Sequence, residues 1–426
     1  MIWRATQTKR TKMTIYATTI AFLVGLAVAG AAQADITLRD AVRISAERDP
    51  NVTAMRQRVA RRTVDIRAAR DEYYPSLSLQ GDTNTTDVDG ANVTLTVSQV
   101  LYDWGMIQSK IEAASQERVK SVSDLKSAVE ELTLQMSELF IEVEVLGLKI
   151  ARTRDYTAFA QRVTGHAERR AAGGLGDNAE VARARLETAR AEDQLSQLEG
   201  DLRIALAQIE FLAGIAPGNP AAAPELNFGA RYGQAGKLAS AVKLAPDYIA
   251  ARAEKDAANA GIKTAKASRL PTITLQAQGR QDLDGGRSRT AIGIAAGMDL
   301  DSASLGARQI QAARLELEAA TSSMAAVEQD LLNEGQNALE RLQILRANES
   351  SRERQLVQAQ QVLDSYEQQF AAGQRDLIDL LTTGRDLYDA QIDAINTFDT
   401  RKRTEYEAAE GLGVLGTLIL AAGATQ

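Results

Sequence analysis

The chain contains seven prolines, and none of them falls between residues 76 and 216 or after residue 271. Proline inside a helix removes a hydrogen bond and clashes with the preceding turn. Those two stretches are therefore where long helices are allowed. Pro50 and Pro75 stand 25 residues apart, and so do Pro246 and Pro271, while Pro217, Pro220 and Pro224 cluster between the two sets. The repeat extends beyond proline. "RDPNVTAMRQRVARRTVDIRAARDEYYPSLSLQ" runs parallel to "LAPDYIAARAEKDAANAGIKTAKASRLPTITLQ" at an offset of 196 residues. Each begins a helix near proline and ends at a second proline followed by alternating residues. One structural unit has been used twice.

The alternation predicts strands. Leu77 and Leu79 alternate with Ser76, Ser78 and Gln80; Val93, Leu95 and Val97 alternate with Thr94, Thr96 and Ser98. The second unit repeats the pattern with Ile273 and Leu275, then Ile292 and Ile294. Period-two alternation gives each strand two faces in different surroundings. Each unit thus carries one β-hairpin, at about 75–101 and about 271–299. Strands of this length, with one apolar face, suit a membrane barrel, and Leu77, Leu95, Ile273 and Ile292 are expected to face lipid. Four strands cannot close a barrel, and open edges in lipid leave backbone groups unpaired. A membrane reading therefore demands several copies: a dimer supplies eight strands and a trimer twelve.

Helical runs follow each hairpin, from Trp104 to Ala172 and from Ser304 to Ala372, broken only by isolated glycines. At 1.5 Å per residue each extends about 100 Å. Both stop at a glycine break: "AAGGLGDNAEV" at 171–181 and "FAAGQRDLIDL" at 370–380. Gly174 and Gly373 are 199 residues apart, and an acid follows each by six positions, Glu180 and Asp379. Glycine supplies the positive φ that helix ends use, so these breaks read as hairpin tips, about 171–178 and about 371–377. Asp177 and Asp376 then start the returning helices, where the helix dipole favours a carboxylate. In the first return, Leu195, Leu198, Leu202, Ala205, Ile209 and Leu212 step by three and four, a coiled-coil seam.

Composition narrows the function. Arg4, Lys9, Arg10 and Lys12, an apolar stretch from Ile15 to Ala31, and the small residues of "AQA" before Asp35 read as a cleavable targeting signal over 1–34, with Met13 a second candidate start. Removing it takes away four basic and no acidic residues. This leaves 45 basic against 56 acidic side chains, about 11 net negative charges, which disfavours nucleic acid. There is no cysteine and one histidine, so disulfides and the usual transition-metal clusters are not expected. His166 lies in a helix and reads as a solvated or packed residue. No constellation looks catalytic, and neither enzyme activity nor a cofactor is expected. Three readings compete: an export duct, a periplasmic coiled-coil protein without a pore, and an adhesin or porin-like uptake channel. The alternating hairpins argue against the second. The short joins at 84–91 and 282–289 argue against the third.

The order of these features resembles the TolC family of outer-membrane export channels across nearly the whole mature chain. The likeness rests on the duplicated helix, hairpin, long helix, helix order, on "LYDWG" at 101–105, on both tips, and on "GLGVLGTL" at 411–418. It implies a mainly α fold with a small β part: a homotrimer whose twelve-strand β-barrel in the outer membrane continues into a twelve-helix antiparallel coiled-coil tunnel across the periplasm. Residues 35–213 form the first repeat, 214–245 an equatorial segment, and 246–426 the second repeat. The implied partners are a periplasmic adaptor (membrane fusion) protein and an inner-membrane pump of the ABC or RND class, for type I protein secretion or drug efflux. By match to the tips, Gly173, Gly174, Leu175, Gly373, Gln374 and Arg375 would contact the adaptor. The gate residues fall on Glu180, Arg375 and Asp379, with Arg375 linking to Glu180. Two positions depart from the pattern. A second gate acid falls on Thr382, and the tip tyrosine falls on Phe370, which cannot make that tyrosine's hydrogen bond.

Overall fold

The computed structural model describes residues 36–83, 91–174, 176–234, 236–283, 288–298 and 307–422. The targeting segment 1–34, residues 84–90 and 284–287 of the hairpin joins, 299–306 with the expected helix start at Ser304, and Leu175 lie outside them. The chain opens with α1 (Leu38–Arg48) and α2 (Pro50–Asp71). Asp49 caps α2, its carboxylate accepting the Val52 N–H at 2.7 Å, and Pro50 takes the first helical position, where a missing N–H costs nothing. After the hairpin β1 (Ser76–Thr83) and β2 (Ala91–Tyr102) comes α3 (Met106–Ala172), which is 67 residues long. The returning α4 (Asn178–Ala213) leads to two short helices, α5 (Phe228–Tyr232) and α6 (Lys237–Val242). The second half repeats the order. It runs through α7 (Pro246–Ala267), β3 (Thr272–Asp282), β4 (Arg289–Gly297), α8 (Ala307–Ala371) and α9 (Leu377–Gly411), and closes with α10 (Leu415–Ala422).

The two hairpins, far apart in sequence, join into one antiparallel sheet of order β1-β2-β3-β4. One cross-strand row reads Leu77, Val97, Ala277, Ile292; the neighbouring row, on the other face, reads Ser78, Thr96, Gln278, Ala291. The apolar face is open. Leu77 is 69% exposed, Ile292 76% and Leu95 42%, whereas Ile273, on the same face, is half-buried. The polar face is sheltered only at β2, while Ser76, Ser78 and Gln80 of β1 and Gln276 and Gln278 of β3 are exposed. Asn92 and Thr94 are nearly buried, Thr94 lying between Gln80 and Arg280 in its row.

The "LYDWG" stretch is the joint from strand to helix. The Asp103 carboxylate accepts the N–H of Gly105 and of Ile107, at 3.0 and 2.6 Å, capping α3. Trp104 and Gly105 both take positive φ, and the Trp104 indole donates to the Pro271 carbonyl at 3.0 Å. The first long helix is thereby tied to the start of the second hairpin.

Helix α3 is the spine. Its N-terminal half is flanked by α2, through Lys110–Glu72 and Arg118 to Thr63, and by α7, through Lys120–Glu254 and Lys263–Glu112. Its C-terminal half is flanked by α4, where the predicted seam packs Leu198 and Ala205 on Leu146 and Ile150, and by α9. Helix α8 lies beyond α7 and α9. The result is a curtain of helices with α2 and α4 at one edge and α8 at the other.

The main core sits at mid-height, where 214–245 wraps the helices. Leu226, Phe228 and Leu238 pack with Phe140, Ile209, Leu342 and Tyr406. The Tyr406 hydroxyl donates to the Pro224 carbonyl at 2.7 Å. Three consecutive cations of α9 radiate from this level, since successive helical residues point in different directions. Arg401 binds Glu349 at 2.7 Å and Glu225 at 3.0 Å, Lys402 binds Glu144 at 2.7 Å, and Arg403 binds Glu142 and Asp399. Among the described residues no helix is long and apolar enough to cross a membrane.

Candidate functional site: the paired helix tips

Both tips turn as glycine permits. Gly174 has φ +71° and Gly373 φ +72°. The last turns close with Gly173 N–H donating to the Arg169 carbonyl and Gln374 N–H to the Gln369 carbonyl. Asp177 and Asp376 are the N-caps of α4 and α9, and the Asp177 carboxylate accepts the Ala179 N–H at 3.2 Å. The two tips pack together through a shared core of Phe159, Val163, Val181, Phe370, Leu377 and Leu381. At Gly384 the approach of α9 to α3 is so close that a Cβ would meet the Phe159 ring at 2.1 Å.

The candidate residues occupy distinct places in this unit. Arg375 Nη1 bonds Asp379 Oδ2 at 3.2 Å, its Nε donates to Gln369 at 3.0 Å, and its guanidinium lies 4.1 Å from the Tyr366 ring centroid. Arg375 and Asp379 are therefore brought together one helical turn apart. Glu180, in the first turn of α4, is half-exposed and makes no ion pair with any described residue of its own chain. Gly173, Gly174 and Gln374 lie at the extreme end, with Gly173 and Gly174 exposed. Thr382 turns its hydroxyl onto the Ile378 carbonyl of its own helix, at 2.8 Å. Phe370 is buried and held by packing: the His166 ring meets it edge-on at 6.4 Å, and the Arg170 guanidinium lies 5.3 Å from its centroid. The first hairpin thus grips the second tip through an aromatic side chain at the position where the pattern had a tyrosine.

A second cluster, further from the tips, was not legible in the sequence. Glu187 of α4 accepts from the Tyr156 hydroxyl of α3 at 2.7 Å and pairs with Arg385 of α9 at 3.3 Å and Arg190 at 3.5 Å. Tyr388 stacks on Tyr156 at 4.7 Å and shares a hydrogen bond with Thr153 at 3.0 Å. Burial, reinforced by the neighbouring Glu187 carboxylate, pushes the Tyr156 hydroxyl up, so it stays protonated and donates. This cluster ties three helices from both hairpins with one nearly buried carboxylate. Its contacts between helices join residues 31 to 235 apart in sequence, and their only local signal is an arginine three residues from Glu187.

No part of this arrangement sets a nucleophile beside a base. Among the described residues no group of three His, Cys, Asp or Glu side chains could hold a metal ion. What the tips present is a pair of glycine turns, an acid in the first turn of each returning helix, and one arginine bound by a single partly exposed ion pair.

The family model for outer membrane efflux protein matches residues 41–215 and 238–409. The outer membrane efflux protein BepC of Brucella suis is 24% identical over 87% of this chain and 84% of its own length. Protein CyaE of Bordetella pertussis is 24% identical over 57% of this chain; the match spans 54% of CyaE, about half its length. Among solved structures, the outer membrane protein VceC of Vibrio cholerae superposes with a TM-score of 0.75 at 18% identity, covering 88% of this chain and 96% of VceC. The fold and the family are those of transport channels. The chain belongs to the outer membrane efflux protein family, and it is an export channel of the outer membrane that reaches into the periplasm.

Proposed function

We propose that three copies close their four-stranded sheets into one twelve-strand barrel and their helical curtains into one tunnel. The observation that carries this reading is the sheet: an apolar face left open, a polar face opposite it, and free edges at β1 and β4. Backbone groups at such edges must pair before the sheet can sit in hydrocarbon. In this reading 35–213 and 246–426 are the two repeats, and 214–245 is the equatorial belt. A periplasmic adaptor grips Gly173, Gly174, Leu175, Gly373, Gln374 and Arg375, and an inner-membrane ABC or RND pump drives the cargo, a secreted protein or a small molecule. Glu180, Arg375 and Asp379 form the gate. Symmetry gathers each acid into a ring of three, which concentrates negative potential at the narrowing. Mass measurement of the purified protein in detergent should give three chains, and planar bilayers should show discrete conductance steps. A monomer that fractionates with soluble periplasm would return the reading to a coiled-coil protein without a pore.

A further inference from the structure

The joint between β2 and α3 leaves large rings in the open. The β2–β3 register shifts between Val100 and Tyr102, and this bulge sets Tyr102 opposite Ile273, on the apolar face of the sheet. Tyr102 is 51% exposed and Trp104 46%, and their rings meet edge-on at 4.8 Å. Trp104 has φ +59°, a left-handed backbone that a bulky side chain adopts only at a cost. Two bonds hold it there: Asp103 caps the next turn, and the indole N–H donates to the Pro271 carbonyl at 3.0 Å. The fold thus fixes an exposed indole at one height, where the sheet ends and the helices begin. Rings with an apolar body and a polar tip suit the boundary between hydrocarbon and water.

The two units differ in charge at this height. The offset of 196 residues aligns "RDEYY" at 70–74, the end of α2, with "KASRL" at 266–270, the end of α7. The first end sets Asp71 next to Arg70 and commits Glu72 to Lys110 at 2.6 Å. The second end has two cations and no acid. Lys266 and Arg269 are exposed, and their side chains make no hydrogen bond or ion pair among the described residues. The neighbouring acids are already engaged: Glu112 binds Lys263 at 2.7 Å, and Asp103 holds the backbone of α3. Arg308, at the start of α8, is a further exposed cation, and Asp299 and Asp301 lie outside the described residues. Pro271, which holds the Trp104 indole, follows Arg269 by two residues, so the free cations and the exposed rings belong to one joint.

We infer that this joint binds the headgroup of an anionic phospholipid of the periplasmic leaflet, with Lys266 and Arg269 on its phosphate and Tyr102, Trp104 and Leu270 against the upper part of its chains. The inference rests on the reading that the sheet lies in the outer membrane with its apolar face to lipid, and it names the lipid class that the lower rim selects. In that reading the long helices leave this end of the sheet for the periplasm, which sets the leaflet. A zwitterionic headgroup brings its own ammonium, which the two cations repel, whereas an anionic one does not. The joint of the first unit, with Asp71 beside Arg70, lacks this preference.

Trp3→Phe leaves Trp104 as the only tryptophan of the full chain, so its fluorescence reports this joint alone. The protein is reconstituted into phosphatidylcholine vesicles in which part of the lipid is replaced by dibrominated phosphatidylcholine or dibrominated phosphatidylglycerol, whose bromines quench an indole they touch. Both should quench Trp104, and phosphatidylglycerol should associate about fivefold more tightly, the effect of one cation beside an anionic lipid. That excess should shrink as salt rises. Lys266→Gln with Arg269→Gln should bring the two lipids level while leaving the Trp104 emission in unbrominated vesicles unchanged, and Lys266→Arg with Arg269→Lys should keep the preference. Equal quenching by both lipids in the parent, or a preference that survives loss of the two cations, overturns the headgroup site. Inserted, conducting protein whose Trp104 neither lipid quenches also overturns it, since another part of the protein then covers the joint, and the channel reading stands. Protein that does not enter the vesicles overturns both.

Discussion

The tips and the equator each set arginine beside carboxylate, and the physics of the two settings is opposite. At the tips, Arg375 and Asp379 have side chains 35% and 47% exposed, and the pair is one turn of a single helix. Exposed pairs of this kind contribute about 1 kcal/mol or less and weaken with salt. At the equator, the Arg401, Lys402 and Glu405 side chains are 10%, 3% and 1% exposed, and their partners come from four different segments. There the charges have left water, and burial works against the Arg401 cation. The bonds from Glu225 and Glu349 outweigh it and hold the guanidinium charged. Such a knot is weak evidence of net stability but costly to break. A link meant to be exchanged for another partner belongs at the tips, and one meant to hold the belt in register belongs at the equator.

The largest effect expected from breaking this contrast is therefore at the equator. Arg401→Leu removes the cation and leaves Glu225, Glu349 and buried Glu405 facing each other. Removing one partner of a buried network costs about 3 to 5 kcal/mol, so the unfolding midpoint of the detergent-solubilised protein should fall markedly. Arg375→Leu should leave it almost unchanged. Equal losses at both sites would end the distinction drawn between them.

The barrel gives the next effect. Leu77→Arg places a cation on the open apolar face and should cost about 2 to 4 kcal/mol per chain near the bilayer midplane. Ser78→Arg, one residue along on the polar face, should be accepted at much lower cost. Refolding into lipid vesicles with denaturant titration measures both, and equal tolerance would overturn the assignment of faces. Thr94 is a poorer control, because it is already crowded between Gln80 and Arg280.

A smaller effect comes from protons, and it acts around the equator. Burial raises Glu405, opposed by Arg401 and Arg346; burial raises Glu130, opposed by the Gly416 N–H; and burial raises Glu410, with Glu130 adding to it. A raised carboxyl binds its proton more tightly when folded. The stability it contributes is complete below the unfolded value of 4.5 and is lost as pH rises through the folded value. Mild acidification from pH 7 towards pH 5 should raise the unfolding midpoint, and Glu410→Gln should flatten that rise. A midpoint that drops steadily over the same window would show that these carboxyls do not govern the response.

The contrast between regions also explains what could be read in advance. The tips were legible because their determinants are local. Gly174 and Gly373 need positive φ, Asp177 and Asp376 cap the next helix, and all lie within a few residues of one another. The sheet rows were legible for the same reason: alternation in each strand already separates Leu77 from Ser78. The equatorial knot was not legible. "TRKRTEY" at 400–406 reads as a solvated charge run, and the partners of Arg401 and Lys402 lie 52 to 258 residues away. Only the fold shows that α9 is surrounded at this height, so that three adjacent cations each meet a different neighbour. Glu187 was invisible on the same grounds, since a lone glutamate on a long helix is indistinguishable from its solvated neighbours.

The smallest energetic effect carries the most functional weight. A duct open at rest would leak, so in the proposed gate the tips close by contacts that an adaptor can displace. In that proposal Arg375 is the cation. Its three contacts, with Asp379, Gln369 and Tyr366, all lie within its own hairpin, and each is partly open to water. Glu180 pairs with no cation among the described residues of its own chain, and in this proposal it is available to an arginine arriving from a neighbouring hairpin. Exchanging Asp379 for Glu180 keeps the number of charge-assisted bonds constant, so little energy separates the two arrangements, which suits a latch. Phe370 packs against His166 and Arg170 of the first hairpin, a contact between the two tips that does not depend on this exchange. Arg375→Ser should then raise single-channel conductance in planar bilayers while shifting the unfolding midpoint by no more than an exposed pair allows, about 1 kcal/mol per chain. Asp379→Asn should weaken cation selectivity and block by multivalent cations, with a smaller change in conductance, because the ring loses its charge while Arg375 can still reach Glu180. Conductance and selectivity indistinguishable from the parent in both variants would make these residues ordinary solvated helix charges, and would move the gate to the Tyr156, Glu187 and Arg385 cluster, where Glu187→Gln is the corresponding test.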